Sequence, residues 1–129
     1  MADTVAGHEP GLDNHRVLVV EDEYFIADDL CTVLRARGAR VVGPVGRGDE
    51  AVALLDTAPV DLAVLDIDLH GQPGYGVADA LRARGVPFVF ATGYGADAIR
   101  VEYRDVPRWE KPYRYEALLA ALSAIAKGG

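Results

Sequence analysis

The stretch that most constrains this chain is Val60 to Gly71, VDLAVLDIDLHG. Val60, Leu62, Ala63, Val64 and Leu65 drive an extended segment into the interior. A short apolar run bounded by turn residues reads as a strand buried on both faces, as in the middle of a parallel sheet. Two carboxylates follow it, Asp66 and Asp68. Burying a lone ionised carboxylate is costly or raises its pKa. Asp66 is therefore expected at the carboxyl end of the strand, where open α/β sheets place their ligand sites. Asp is also a common turn residue, so this stretch alone equally allows two acids that merely cap a loop.

The rest of the chain supplies the sheet. Arg16–Val20 is apolar and β-branched and stops at Glu21-Asp22-Glu23. Phe25, Ile26, Ala27, Leu30, Val33 and Leu34 then recur at helical spacing, and Gly38 suits the helix C-terminus. Arg40–Gly43 reads as a second strand, and Asp49 as the N-cap of a helix ending before Pro59. After the third strand come Gly71, Pro73, Gly74 and Gly76, and then a helix through Val77, Ala80 and Leu81. Pro87–Thr92 is a fourth strand. Ala96–Asp105 is weakly patterned, which predicts a short or mobile helix. Val106–Glu110, interrupted by Pro107, predicts a poor edge strand. Leu118, Leu119, Leu122 and Ile125 mark one side of a final helix. Strand and helix alternate five times with short connections, which implies an α/β fold: a doubly wound parallel sheet with helices on both faces.

Composition narrows the function. The chain has 129 residues, half of them hydrophobic, enough for one compact domain with a sizeable core. A net charge of −7 argues against holding nucleic acid by phosphate neutralisation and favours cations or basic partner patches. The single cysteine, Cys31, leaves no internal disulfide and no cysteine-based zinc site, and is compatible with a reducing compartment. The first fifteen residues lack a basic start and an apolar core, so no signal peptide is expected and residues 1–15 read as a flexible tail. No apolar run approaches the roughly 20 residues that span a bilayer. The folded domain is expected over residues 16–127, in the cytoplasm, without membrane association and without an output domain.

In such a sheet all strand carboxyl ends share one edge. Strand one brings Glu21 and Asp22 there, strand three Asp66 and Asp68, strand four Thr92 and strand five Lys111. Crowded carboxylates call for a cation or a raised pKa. Mg²⁺ fits best, since hard oxygen ligands dominate and no His or Cys cluster competes. Each residue also has a bland role: helix-dipole acids, a strand threonine, a solvated lysine. Together they compose the chemistry of phosphoryl transfer to a carboxylate. Asp66 is the acceptor, Lys111 the cationic clamp, and Thr92 a hydroxyl donor.

VVEDE, VLDID, FATG and EKP, in this order and spacing, resemble the receiver domain of two-component response regulators, from Arg16 to about Ala126. The resemblance implies a five-stranded flavodoxin-like sheet of order 2-1-3-4-5. It implies that Asp66 accepts a phosphoryl group from a phosphohistidine on a sensor histidine kinase or histidine phosphotransfer protein. It further implies that Asp22 and Asp66 ligate Mg²⁺, that the carbonyl of Asp68 completes the protein ligands, and that Glu21 acts through water. Thr92 and Lys111 would contact the phosphoryl group, and the Lys111–Pro112 bond would often be cis. Pro87–Tyr94, PFVFATGY, also looks like the signature of the FATGUY receivers, mostly stand-alone domains with phosphorelay or stress-signalling roles.

The chain departs from the family pattern in two places. Arg108 stands three positions before the lysine, where most receivers carry Tyr or Phe, so the usual threonine–aromatic switch is in doubt. Trp109 and Tyr94 are nearby aromatics, for which packing is the plainer role. Phosphorylation would instead order Ala96–Asp105. Asp68 adds negative charge two residues beyond the acceptor, and with Tyr94 it occupies a position that tunes dephosphorylation in the family. His70 reads as loop surface; His8 and His15 fall in the tail. Two rivals remain. One is a non-phosphorylated interaction module with a receiver fold. The other is a phosphatase resembling the haloacid-dehalogenase-like hydrolases through Asp66-Ile-Asp68. Those enzymes need an acidic pair after the lysine, and only Glu116 follows Lys111.

Overall fold

A computed structural model describes residues 11–69, 72–93, 99–111 and 113–128. The expectations for His8, His70, Tyr94 and Pro112 lie outside the described residues. The elements are β1 (Arg16–Val20), α1 (Tyr24–Ala36), β2 (Arg40–Val45), α2 (Gly48–Thr57), β3 (Leu62–Leu65), β4 (Asp68–Leu69), β5 (Gln72–Pro73), α3 (Tyr75–Ala83), β6 (Phe88–Thr92), β7 (Arg108–Glu110) and α4 (Tyr115–Gly128), with one 3₁₀ turn at Val101–Tyr103. Five strands form a parallel sheet in the order β2-β1-β3-β6-β7. Counting only these five, that is the expected order 2-1-3-4-5. β4 and β5 form a separate antiparallel pair just after Asp66, which the sequence did not signal.

Strand alternation builds two cores. Leu18, Val20, Ala63, Leu65, Phe88 and Phe90 point to one face, where Ala51 and Leu55 of α2 and Val77, Ala78 and Leu81 of α3 meet them. Val17, Val19, Leu62, Val64, Val89 and Ala91 point to the other, against Leu30, Cys31 and Leu34 of α1 and Leu118, Leu119 and Leu122 of α4. Both faces are apolar because both are covered, as in parallel sheets generally. Cys31 is buried core filler, and Trp109 packs on the α1/α4 side.

Local boundaries differ from expectation where side chains overrode propensity. α2 begins at Gly48 after Arg47, and Asp49 lies in its first turn, accepting from Glu50 N at 2.9 Å and from the Arg47 guanidinium. Ordered packing reaches back into the stretch assigned to the tail. Leu12 is fully buried in the α1/α4 core, and Asn14 N donates to Gly38 O at 2.8 Å. Gly38 follows α1 with φ +89°, and a Cβ there would fall 2.0 Å from Asp13 Oδ1, so this docking requires glycine. Part of the segment expected to order on phosphorylation is already packed: Ile99 and Tyr103, with Val106 just beyond that segment, are buried in the core that β6 and α3 share. Their spacing, i, i+4, i+7, is that of one helical face, a stripe too short to stand out in the sequence.

Candidate active site

Backbone ladder bonds carry four side chains past the strand ends onto one edge. Glu21 N donates to Val45 O and Asp66 N to Val20 O, both at 2.9 Å, and Lys111 N donates to Thr92 O at 3.0 Å. Glu21, Asp66 and Thr92 are the only buried polar residues among those described, at 5%, 3% and 0% exposure. In a core this apolar, buried polar groups need partners. Lys111 Nζ supplies them for the two buried acids, donating to Asp66 Oδ2 at 2.9 Å and Glu21 Oε2 at 2.9 Å, and it also donates to the exposed Glu23 Oε2 at 3.0 Å. The second Asp66 oxygen, Oδ1, accepts from Asp68 N at 3.0 Å, which fixes the carboxylate plane.

The electrostatics are unbalanced by design of the sequence: one ammonium faces three acids. Burial pushes the Glu21 carboxyl up to about 7, with Lys111 opposing and the Asp66 charge reinforcing the rise. Burial works against the Lys111 ammonium, but its hydrogen bonds to Asp66, Glu21 and Glu23 outweigh that, and its pKa is raised. An open cavity of about 300 Å³ is lined by Asp22, Glu23, Asp66, Asp68, Gly93 and Lys111.

Carboxylate oxygens of Glu21, Asp22, Glu23 and Asp66 lie within 4.8 Å of one another. Asp68, which lines the same cavity, has a buried Oδ1 with no hydrogen-bond partner among the described residues. An oxygen-only donor set with surplus negative charge and an unpaired buried acceptor fits a hard divalent cation. The structure thus brings together Glu21, Asp22, Asp66, Asp68, Thr92 and Lys111 on one edge. Glu23 joins them unforeseen. Its signal was the run of three acids, which reads equally as helix-dipole charge at the start of α1. Gly74 packs against the Asp66 backbone: a Cβ there would lie 2.8 Å from Asp66 O, so that backbone is in contact with the start of α3.

A fold of this order with acids, threonine and lysine on its carboxyl edge is that of a receiver domain. The response regulator receiver domain model matches residues 17–123, and the chain belongs to that family. It is 33% identical to the sensory transduction protein RegX3 of Mycolicibacterium smegmatis, over 88% of this chain and 51% of that protein. It is 31% identical to the transcriptional regulatory protein PdtaR of Mycobacterium tuberculosis, over 83% of this chain and 54% of that protein. The chain therefore spans about half the length of these curated relatives. The solution structure of the BeF3-activated conformation of SdrG from Pseudomonas melonis Fr1 matches with a TM-score of 0.72 and 38% identity, covering 86% of this chain and 95% of that one. No described helix is long and apolar enough to cross a membrane.

Proposed function

We propose that this chain is a stand-alone cytoplasmic response regulator that accepts a phosphoryl group at Asp66, with Mg²⁺, from a phosphohistidine of a sensor histidine kinase or histidine phosphotransfer protein. It would signal by phosphorylation-dependent partner binding or by phosphorelay. The observation that carries this is the Asp66 carboxylate, buried at the strand end, with one oxygen on Lys111 and the other on the Asp68 amide.

In the transfer an Asp66 oxygen attacks phosphorus, the P–N bond breaks, and its electron pair remains on the donor's imidazole nitrogen. An acyl phosphate forms. Lys111 already lies 2.9 Å from the acceptor and neutralises charge on the incoming phosphoryl oxygens. Thr92, fully buried at the end of β6, supplies a hydroxyl donor. Asp22 and Asp66, with the Asp68 carbonyl and, through water, Glu21, would hold Mg²⁺. When bound, the ion offsets charge on the transferred group and its acceptor. The Asp68 side chain sets phosphoryl lifetime. Tyr24 and Phe25, exposed at 72% and 79% in a T-shaped pair beside Glu23, offer an apolar contact for the donor protein.

The test is incubation with acetyl phosphate and Mg²⁺, followed by intact-mass measurement. One phosphoryl group is expected on the wild type and none on Asp66→Asn. An unlabelled wild type would favour a non-phosphorylated receiver-like module. Steady turnover of a phosphate monoester would revive the haloacid-dehalogenase-like reading, for which Glu116 adds nothing to the acidic cluster.

A further inference from the structure

A lysine ammonium carries three N–H donors and no acceptor. All three donors of Lys111 are directed at carboxylates, to Asp66 and Glu21 at 2.9 Å each and to Glu23 at 3.0 Å. The side chains of the first two are 3% exposed, and that of Glu23 is 60% exposed. Two buried acids therefore hold the ammonium in place, and the bond to Glu23 is not what orients it. Glu23 itself stands at the N-cap of α1. Its carbonyl accepts from Ala27 N at 2.9 Å and its amide donates to Glu21 Oε2 at 3.1 Å, so backbone bonds fix where its carboxylate projects.

The cavity that leads to Asp66 is lined by Asp22, Glu23, Asp68, Gly93 and Lys111. Glu23 is the exposed acid among them; Asp22 and Asp68 are half-buried. The Lys111 side chain is 13% exposed, so solvent at this mouth meets the Glu23 carboxylate rather than the ammonium behind it. A small anionic phosphodonor thus meets like charge on the way in. A donor of protein size can set a cation of its own against the exposed carboxylate. Like charge placed against one class of partner is a means of discrimination.

We infer that Glu23 is a specificity-determining residue for the phosphodonor: its carboxylate turns away small dianionic donors and admits one that brings positive charge to the mouth of the cavity. This rests on Asp66 being the phosphoacceptor.

The probes are acetyl phosphate and phosphoramidate, two small donors of different charge. With either, an Asp66 oxygen attacks phosphorus and the bond to the leaving group breaks with its electron pair, releasing acetate from the first and ammonia from the second. At neutral pH the protonated nitrogen of phosphoramidate leaves that donor with one negative charge fewer. Labelling is followed by intact mass at a Mg²⁺ concentration that saturates each protein in its own melting titration. Glu23→Gln keeps an oxygen for Lys111 and removes the charge. Acetyl phosphate should label it about fivefold faster than wild type, and phosphoramidate should show a smaller gain. A change in packing alone would move both donors alike. Equal or slower labelling of Glu23→Gln by acetyl phosphate overturns the inference, as do equal gains from the two donors. Labelling of neither protein above Asp66→Asn overturns the phosphoacceptor reading instead.

Discussion

The two edges of the sheet each carry an ion pair that bridges neighbouring strands, and they differ in how charge is closed. At the amino edge Asp61 accepts from Arg16 N at 2.8 Å, Nε at 3.0 Å and Nη2 at 3.1 Å. One guanidinium meets one carboxylate, bidentate, with solvent at hand. At the carboxyl edge a single ammonium is shared by Glu21 and Asp66, both out of water, and by the exposed Glu23. A closed pair of the first kind holds strands in place. An open cluster of the second kind is left needing positive charge, which is what a site for a cation and a phosphoryl group requires.

The widest gap between the edges is expected on removing the cation of each. Lys111→Met leaves two buried acids uncompensated and should cost about 3–5 kcal/mol in urea unfolding with a chelator present. Arg16→Met breaks a pair whose side chains are 43% and 33% exposed and should cost under about 1 kcal/mol. Similar losses in the two variants would erase the distinction.

Magnesium should act on one edge only. At a hundredfold excess over its dissociation constant it adds about 2.7 kcal/mol to the folded state. Asp61→Asn should keep that gain and Asp22→Asn should lose most of it, as read by thermal melting with and without the ion.

Strong acid, well below the range in which Glu21 titrates, should act on the other edge. The Arg16 bonds hold the Asp61 carboxyl below its ordinary value of 3.8. A carboxyl lowered by folding stabilises the protein above that value and ceases to do so as pH falls through the folded one. Asp61→Asn should therefore flatten the acid limb of the stability profile below pH 3.8, and an unchanged limb would show the pair to be energetically idle.

The smallest effect concerns Tyr113, whose hydroxyl is buried with no hydrogen-bond partner among the described residues. Burial, then the Tyr115, Glu21 and Asp66 charges, raise its pKa against the pull of Lys111, so it stays neutral. Tyr113→Phe should be neutral or stabilising by up to about 1 kcal/mol. A clear loss on denaturation would mean the carboxyl edge is more tightly satisfied than it looks.

Sequence made the carboxyl edge legible because strand ends of a parallel sheet must converge, so Asp66, Thr92 and Lys111 could be placed together before any coordinates. Glu23 was harder, since the reach of a helix-start acid depends on its rotamer. The stacking of Tyr75 on Tyr103 was not legible, since the two are 28 positions apart and their contact depends on how residues 99–106 settle on α3. The β4–β5 pair escaped for a similar reason: two-residue strands carry no alternation to detect.

Leu12 carries a lesson about where this molecule begins. The match to the family model starts at residue 17. The physical object starts earlier, because a leucine five residues upstream plugs a socket beside α1 and α4. Removing a buried leucine side chain ordinarily costs about 2–5 kcal/mol. Trimming the polypeptide to residues 17–123 would thus discard a sizeable share of its resistance to unfolding, so the cooperative unit is larger than the span by which the family is recognised.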